Sequence, residues 1–515
     1  MLPQEQEQLL LQRYLSNLDG DIYAIANLPE EVIAVIFAYV SRSPNSFRDN
    51  LLKLLSSGDL GAAVPPADAT PALDYASEKA RHFHEKWVVQ YGHSSVAEHA
   101  IVHLGVERIS RFASSLLELS NPFLSFTEYS QRYQRPQRGA YHTPAELEPH
   151  PELQHEFRSF QDRSFHAYER VQAALFEHLL ELEPRAAEES EKRYHSRVEK
   201  LSFEDARYLL SLAVHTNLGM TANGRALRDA IVQLLAHPYR EIRHMAETLR
   251  QEAKKMLPAL LRYAEANPYQ AEFQQKLASD SARLSHGRAD AYPTFRSGAA
   301  AVQLLDHDPD GLDHLLAHCL YGATSRSRAH VVNELRQKSD AEKSNLFRTW
   351  VSGIGSHDPL PEGFRHLRYR FEILLSEANW HQLLRHCRGI DFLAQLPTTE
   401  LGITVPPRAQ SCGLDGIFSE LAEASARLHS RLLDLVPEAA PYVVLNMHHR
   451  RVIADLHLAE LCHLVRLRGK ADAQWDIRYT VEQMWQSVLR VHPFLQSLPF
   501  TIARDGFPAE SASEC

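Results

Sequence analysis

Cysteine is scarce in this sequence, and the few cysteines that occur are not paired. They stand at Cys319, Cys387, Cys412, Cys462 and Cys515, and no two of them form a Cys-x-x-Cys motif. Such spacing indicates neither a zinc site nor a disulfide framework. We therefore expect a reducing, cytoplasmic setting.

Long apolar runs are also lacking. The longest, VIAVIFAYV at 32–40, is far shorter than the roughly 20 residues that span a bilayer. The opening MLPQEQEQ does not have the basic-then-apolar pattern of a secretory signal. We expect no association with a membrane.

Positive charge is in deficit, because the formal net charge is −10. Proteins that bind nucleic acids generally rely on a basic surface, so we expect no nucleic-acid partner. A small anion held by a local arginine cluster stays compatible with this charge. GxSxG, Walker and GxGxxG motifs are absent, and no cysteine has the surroundings of a catalytic nucleophile.

The sequence contains an internal repeat. The segment EIRHMAETLRQEAKKMLP, from Glu241, is echoed by DIRYTVEQMWQSVLRVHP, from Asp476. GHSSVAEHA at 92–100 is echoed by SHDPLPEGF, and LPEEVIAVIFAYVSRS at 28–43 by DPDGLDHLLAHCLYGATSRS. Three echoes in the same order predict a tandem duplication. The predicted parts are a first copy at 1–266, a polar linker at 267–294, a shorter second copy at 295–505 and a disordered tail at 506–515.

Hydrophobic periodicity predicts an α+β fold in each copy. Apolar residues at helical spacing predict helices at 28–40, 219–262 and 447–490. Partial alternation with β-branched or aromatic residues predicts strands at 100–110 and 368–376, each followed by a short helix.

Two polar stretches carry candidate chemistry. In SFTEYSQRY, Glu128, Ser130 and Arg132 alternate, which would place them on one face of an extended segment. In WHQLLRHCR, Gln382, Arg385 and Arg388 recur at helical spacing, and guanidinium groups on one face suit phosphate oxygens. Each stretch also has an alternative without a function. SFTEYSQRY could be an exposed edge strand with alternating charges, and WHQLLRHCR could be a solvated basic helix face.

Other polar motifs have structural explanations. In TANGRALRDA, Asn223 suits a helix N-cap, and Arg225 suits an ion pair with Asp229. The histidines of GHSSVAEH lack the spacing of a helical metal pair and a third ligand. NMHHRR at 446–451 is typical of a surface feature. We predict no metal site.

Together these pieces resemble the flavin-dependent thymidylate synthases. That family's signature reads Arg-His-Arg, two residues, Ser, one residue, Asn-Glu, one residue, Ser, one residue, Arg-Tyr. The first copy retains its second part as SFTEYSQRY, with Thr127 at the asparagine position. The second copy retains its first part as HQLLRHCR, with Cys387 at the second arginine position. The losses are complementary, and the flanks GHSSVAEHA, NGRALRDAIVQLLAHPYREIR and LVRLRGKADAQWDIR extend the resemblance.

The resemblance implies two fused synthase-like copies, mixed helices with a small antiparallel sheet, that form an intramolecular pseudo-dimer with one composite active site. It implies dUMP contacts by Glu128, Ser130, Arg132 and Arg207 of the first copy and by Gln382, Arg385 and Arg468 of the second. It implies FAD contacts by His93, Ser95, Glu128, Asn223, Arg225, His237, Arg385, His386 and Arg388. Arg468 would be catalytic, stabilising negative charge on the uracil ring.

The implied reaction is reductive methylation of dUMP to dTMP, with methylenetetrahydrofolate as methylene donor and NADPH as reductant. The implied assembly is a homodimer equivalent to the family's four-lobed tetramer. Three alternatives stay open. They are a pseudoenzyme that binds flavin or nucleotide without turnover, a flavin- and folate-dependent methyltransferase acting on another uracil-containing acceptor, and a non-catalytic helical scaffold.

Overall fold

The computed structural model describes residues 4–15, 18, 25, 27–28, 30, 33, 47–56, 94–284, 301–355 and 357–503. Most of the helix predicted at 28–40, and all of the tail predicted at 506–515, lie outside these residues. The strands are β1 (Ile101–Ser110), β2 (Ser125–Glu128), β3 (His215–Asn223), β4 (Ala301–His307), β5 (Arg368–Ser376), β6 (Ile390–Ala394) and β7 (His449–His457). The helices are α1 (Gln4–Leu11), α2 (Phe47–Ser56), α3 (Arg111–Leu119), α4 (Pro151–Leu182), α5 (Glu191–Ala206), α6 (Gly224–Leu235), α7 (Arg240–Lys254), α8 (Pro268–Leu284), α9 (Gly311–Tyr321), α10 (Arg328–Arg336), α11 (Asp340–Val351), α12 (Glu377–Leu383), α13 (Pro407–Ser411), α14 (Asp415–Leu435), α15 (Leu458–Arg468) and α16 (Trp475–Val491).

The chain divides into two compact units that do not follow the two sequence copies. Unit one comprises Met1–Ile109, Leu116–Tyr129 and Thr216–Arg288, and unit two comprises Ser110–Ser115, Ser130–His215 and Ala289–Cys515. The sheet of unit one has the strand order β1-β3-β2, and β2 pairs antiparallel with β3. Its β3 buries alternate residues, Leu218, Met220 and Ala222, as a strand with one covered face does.

Unit two holds an antiparallel sheet with the strand order β4-β5-β7-β6. Its interior is built from both copies of the sequence. The amide of Leu212 donates to the carbonyl of Val444 at 2.9 Å, and the amide of Met447 donates to the carbonyl of Tyr208 at 2.9 Å. Because these bonds join 130–215 to the second copy, residues of the two copies share one core.

The predicted α+β fold is confirmed. β1 occupies 101–110 of the strand predicted at 100–110, and β5 coincides with the strand predicted at 368–376. The short helices predicted after them are α3 and α12. No helix among the described residues is long and apolar enough to cross a membrane.

The helices predicted at 219–262 and 447–490 are wrong at their beginnings, where the chain forms β3 and β7. In each case a side chain at the end of the strand caps the helix that follows. Asn223 accepts a hydrogen bond from the amide of Ala226 at 2.8 Å, and His457 accepts one from the amide of Glu460 at 3.0 Å. In both places a short strand ends at a residue that caps the next helix. The helical periodicity of the longer segment that follows hid the strand in the sequence.

The prediction that SFTEYSQRY is extended throughout is also wrong. β2 ends at Glu128, and the amides of Tyr133 and Gln134 both donate to the carbonyl of Ser130, at 3.1 and 3.0 Å. These bonds close a turn. Glu128, Ser130 and Arg132 therefore do not share one face of a strand.

NMHHRR is not a surface feature. His448, His449 and Arg450 expose only 1%, 2% and 3% of their surface. Burial lowers the pKa of His448 to about 3 and that of His449 to about 4. Both rings are neutral at physiological pH and pack as core residues.

The segment predicted as a linker contains a regular helix, α8, with exposed Tyr269, Phe273 and Leu277 on one side. The copy boundaries themselves stay a prediction. The described cysteines, Cys319, Cys387, Cys412 and Cys462, are free thiols.

Candidate functional site

Unit two gathers four arginines that lie far apart in the sequence. Arg132 and Arg207 come from the first copy, and Arg385 and Arg468 from the second. Their charges influence one another: beyond the effect of burial, Arg132 lowers the pKa of both Arg207 and Arg468, and Arg385 lowers that of Arg468. Like charges repel in a poorly solvated region, so this arrangement favours an anion among them.

Arg207 is the most buried of the four, with 4% of its surface exposed. It lies in the short 3₁₀ turn Arg207–Leu209 that follows α5. Its Nε and Nη2 have no hydrogen-bond partner among the described residues. Burial, followed by the charges of Arg132 and Arg111, lowers its pKa to about 10, so the group stays protonated at neutral pH. A buried cation with two unused donors is costly unless a ligand satisfies it.

Arg132 and Arg468 border the same region with different partners. Arg132 donates through Nε to Glu204 at 2.6 Å. Arg468, at the last position of α15, donates through Nε to Nε2 of His386 at 3.2 Å and forms no ion pair with a described carboxylate. Burial, followed by the charge of Arg385, lowers the pKa of Arg468 to about 10.

Gln382 is held in place by a buried chain of hydrogen bonds. Its Nε2 donates to Gln474 at 3.0 Å, Gln474 donates to the Tyr208 hydroxyl at 3.0 Å, and Tyr208 donates to Asp476 at 2.7 Å. Ser376 and Asn379 also donate to Asp476, at 2.6 and 3.0 Å. The Oε1 of Gln382 is left without a partner within the described ranges and is available to a ligand donor.

We expect Tyr208→Phe to loosen this chain. The change removes the donor to Asp476 and the acceptor for Gln474, so the free energy of unfolding should fall by about 1–3 kcal/mol. Burial already raises the pKa of Asp476, and the lost donor should raise it further. Denaturant unfolding at several pH values would measure both effects, and an unchanged stability would contradict the importance of the chain.

Buried groups that the sequence did not single out also line this region. His381 is 3% exposed, its Nε2 has no partner in the part of the chain described, and burial together with Arg111, Arg450, Arg385 and Arg207 holds its pKa well below the usual value. It is therefore a neutral ring among cations. Beside it, Arg450 donates through Nε to Glu377 at 2.8 Å and lies over the Trp380 ring at 5.6 Å.

Gln382, Arg385 and Arg388 do not share one helical face, contrary to the prediction. α12 ends at Leu383, Arg385 and His386 lie in the 3₁₀ turn Leu384–His386, and Arg388 lies in the turn after it. Arg385 donates through Nε to the carbonyl of His381 at 3.2 Å. Arg385 and Arg388 are both exposed, and of the two only Arg385 contributes to the lowered pKa of Arg468, after burial.

The remaining predicted residues lie in unit one. Glu128 is buried and accepts from the Thr216 hydroxyl at 3.0 Å, and Asn223 is the predicted N-cap. Arg225 pairs with Glu98 at 2.6 Å instead of the predicted Asp229. His237 is half-buried, and its Nδ1 has no partner within the described part of the chain. Ser95 is exposed. His93 lies outside the described residues.

The fold and the arginine cluster define an α+β protein with a cationic site assembled from two parts of one chain. The chain belongs to the family described as thymidylate synthase complementing protein. That family's model matches residues 31–259 and, a second time, residues 303–494. The two matches confirm the predicted family and agree with its tandem duplication.

Relatives of two kinds are found. A "UPF0159 protein" of Chlamydia muridarum is 25% identical over 500 residues, which cover 95% of this chain and 93% of the relative. The "UPF0159 protein Ta1429" of Thermoplasma acidophilum is 24% identical over 82% of this chain and 88% of its own. A flavin-dependent thymidylate synthase of Clostridium tetani is 28% identical over 38% of this chain and 74% of its own length.

Among solved structures, a UMP/dUMP methylase from Streptomyces cacaoi bound with 5-Br dUMP aligns with 39% of this chain and 96% of its own. Its TM-score is 0.31 and its sequence identity is 15%. These values are too low to support an inference about this chain.

Proposed function

We propose that this protein is a flavin-dependent thymidylate synthase that methylates dUMP, with its nucleotide site among the arginines of unit two. Membership in the family and the synthase relatives support the reaction class. The observation that carries the assignment to these residues is the buried guanidinium of Arg207. Its Nε and Nη2 have no hydrogen-bond partner among the described residues, and the charge of Arg132 adds to the effect of burial on its pKa.

A nucleotide phosphate matches this group of donors. Guanidinium groups bind phosphate oxygens with short, charge-assisted hydrogen bonds, and several arginines can share its charge. We assign the phosphate to Arg132, Arg207 and Arg385. Ser130 lies in the turn two residues before Arg132, and we assign its hydroxyl to dUMP as well.

The uracil ring is assigned to Gln382 and Arg468. The side-chain carbonyl oxygen of Gln382 has no partner among the described residues and can accept the N3–H of uracil. Arg468 stays protonated at neutral pH and sits in a partly buried setting, where a fixed charge stabilises negative charge developing on the ring.

The residues present fit FAD in the chemistry of their donors. The half-buried Nδ1 of His237 lacks a partner among the described residues, and Asn223 and Arg225 of the same unit offer amide and guanidinium donors for phosphate oxygens. We assign FAD to these residues with Ser95, His93 and Glu128, which all belong to unit one. The family resemblance also implies flavin contacts by Arg385, His386 and Arg388. Bound FAD would supply the hydride chemistry, and NADPH and methylenetetrahydrofolate would be co-substrates.

The test is dTMP formation from dUMP by the purified full-length chain with FAD, NADPH and methylenetetrahydrofolate, followed by chromatography. Arg468→Met should lower kcat about 100-fold or more, because a preorganised charge is lost where negative charge develops. Arg283→Met is the matched control, since Arg283 is exposed on α8 and pairs only with Asp280 among the described residues.

The outcomes separate the candidates. Failure to bind dUMP in a calorimetric titration would overturn the proposed site. Binding of dUMP and FAD without dTMP would favour the pseudoenzyme, for which the engagement of Arg225 by Glu98 and the cysteine at position 387 are the specific observations. An Arg468→Met variant as active as the control would remove Arg468 from catalysis.

A further inference from the structure

Three side chains of types that commonly bind metals form a cluster that includes His386, the ring that accepts a hydrogen bond from Arg468. His386, Glu460 and His463 each offer one ligand atom, and these atoms all lie within 4.8 Å of one another. Glu460 and His463 are three residues apart on α15, so they share a helix face. His386 reaches them from the 3₁₀ turn after α12.

The local backbone is shaped to hold these groups close. Nδ1 of His386 is 3.5 Å from Oε1 of Glu460, and the rings of His386 and His463 are 5.8 Å apart. Gly389 makes room for Glu460, since a Cβ at position 389 would lie 2.2 Å from Oε2 of the carboxylate. His386 is buried whereas His463 is exposed, so the cluster has a packed side and a side open to solvent.

We propose that His386, Glu460 and His463 form a binding site for a divalent transition-metal ion. Two imidazoles and one carboxylate are a ligand set that Zn²⁺ takes, with a fourth position left for water. Imidazole ligands favour zinc, cobalt, nickel or copper over magnesium and calcium, which prefer oxygen. The site does not depend on the proposed function.

The ion would be coupled to Arg468 through the His386 ring. Because Nε2 accepts from Arg468, the neutral ring carries its proton on Nδ1, the atom that faces Glu460. An ion on Nδ1 leaves the proton on Nε2, which can then no longer accept from Arg468. Metal binding to Nδ1 and the hydrogen bond from Arg468 to Nε2 therefore exclude each other. The same ring is assigned to the flavin, so we expect ion and flavin to compete there.

The experiment is a titration of the full-length chain, stripped with a chelator and free of flavin, with Co²⁺ as the probe. We expect saturable d–d absorption at one ion per chain, reversed by Zn²⁺. His463→Ala should weaken binding at least about tenfold. His244→Ala, at an exposed histidine on α7, is the matched control and should not. Gly389→Ala should also weaken binding, by displacing the Glu460 carboxylate.

Two results would overturn the site: no saturable Co²⁺ spectrum, or the same affinity in the chain and in its His463→Ala and Glu460→Gln variants. The coupling has its own readout. Arg468→Met removes the competing donor and should tighten Co²⁺ binding severalfold, whereas unchanged or weaker binding would disprove the coupling. No nucleotide enters these measurements, so their failure leaves the proposed function untouched.

Discussion

Arg207→Met is expected to abolish most dUMP binding while making the protein more stable. Loss of a buried charged donor to the phosphate should weaken binding about 100-fold or more. Without ligand, the same change removes a buried cation whose Nε and Nη2 find no partner in the described chain, so the free energy of unfolding should rise by about 1–3 kcal/mol. Calorimetric titration with dUMP and denaturant unfolding measure the two effects.

Arg132→Met is the matched comparison, since it should weaken dUMP binding too but with the opposite effect on stability. Arg132 forms a 2.6 Å ion pair with the buried Glu204. Without it, the 3.4 Å contact to Arg408 is the one ion pair that Glu204 keeps among the described residues. Titration with deoxyuridine, which lacks the phosphate, should show little difference among the variants. If Arg207→Met destabilised the protein or kept normal dUMP affinity, the assignment of Arg207 to a phosphate would be wrong.

The second large effect is expected at the buried pair of Arg450 and Glu377. The pair is nearly inaccessible, at 3% and 0% of the two side chains. Arg450→Met leaves Glu377 buried with its closest counter-charge gone, which should cost about 3–5 kcal/mol of stability. Replacing both residues, by Glu377→Leu with Arg450→Met, removes the stranded charge and should restore most of that loss.

The loss should depend on pH in a defined direction. Burial raises the pKa of Glu377 above its ordinary value, and Arg450 opposes this shift, so Arg450→Met raises the pKa further. A carboxyl whose pKa is higher in the folded protein stabilises it at low pH and loses that contribution as the pH rises through the folded pKa. Unfolding at about pH 5 and about pH 8 should therefore show the larger deficit at the higher pH. The double variant should not share this trend, and a deficit independent of pH would contradict a stranded carboxylate as its cause.

The sequence predicted the class of fold and the residues of the cationic site better than it predicted local conformation. Arg132 and Arg385 were found through a signature divided between two copies, and Arg207 and Arg468 through positions that flank it. All four lie in unit two. Their roles stay predictions. The strands at β1 and β5 were predictable because β-branched and aromatic residues dominate them.

What the sequence could not show depends on contacts between distant segments. Arg450 was mistaken for a surface residue because a run of histidines and arginines is usually solvated, whereas here Glu377 and Trp380 cover it. Nothing in the sequence indicates that the His381 ring is neutral, because its lowered pKa follows from burial and from arginines of several elements. The cluster of His386, Glu460 and His463 joins a turn to a distant helix, so no local spacing indicates it.

The shared interior of unit two has a consequence for cutting the polypeptide. A protease that cleaves between Leu284 and Ala301 would separate the two copies without dividing the units, because 130–215 packs with the second copy. The two fragments should stay associated after such a nick and separate only in denaturant. Residues 130–215 should not fold in the first fragment alone, because their partners lie in the second fragment, whereas co-expression should restore unit two by complementation. Fission of the gene at this point would therefore give two fragments that depend on each other, instead of two copies that fold independently.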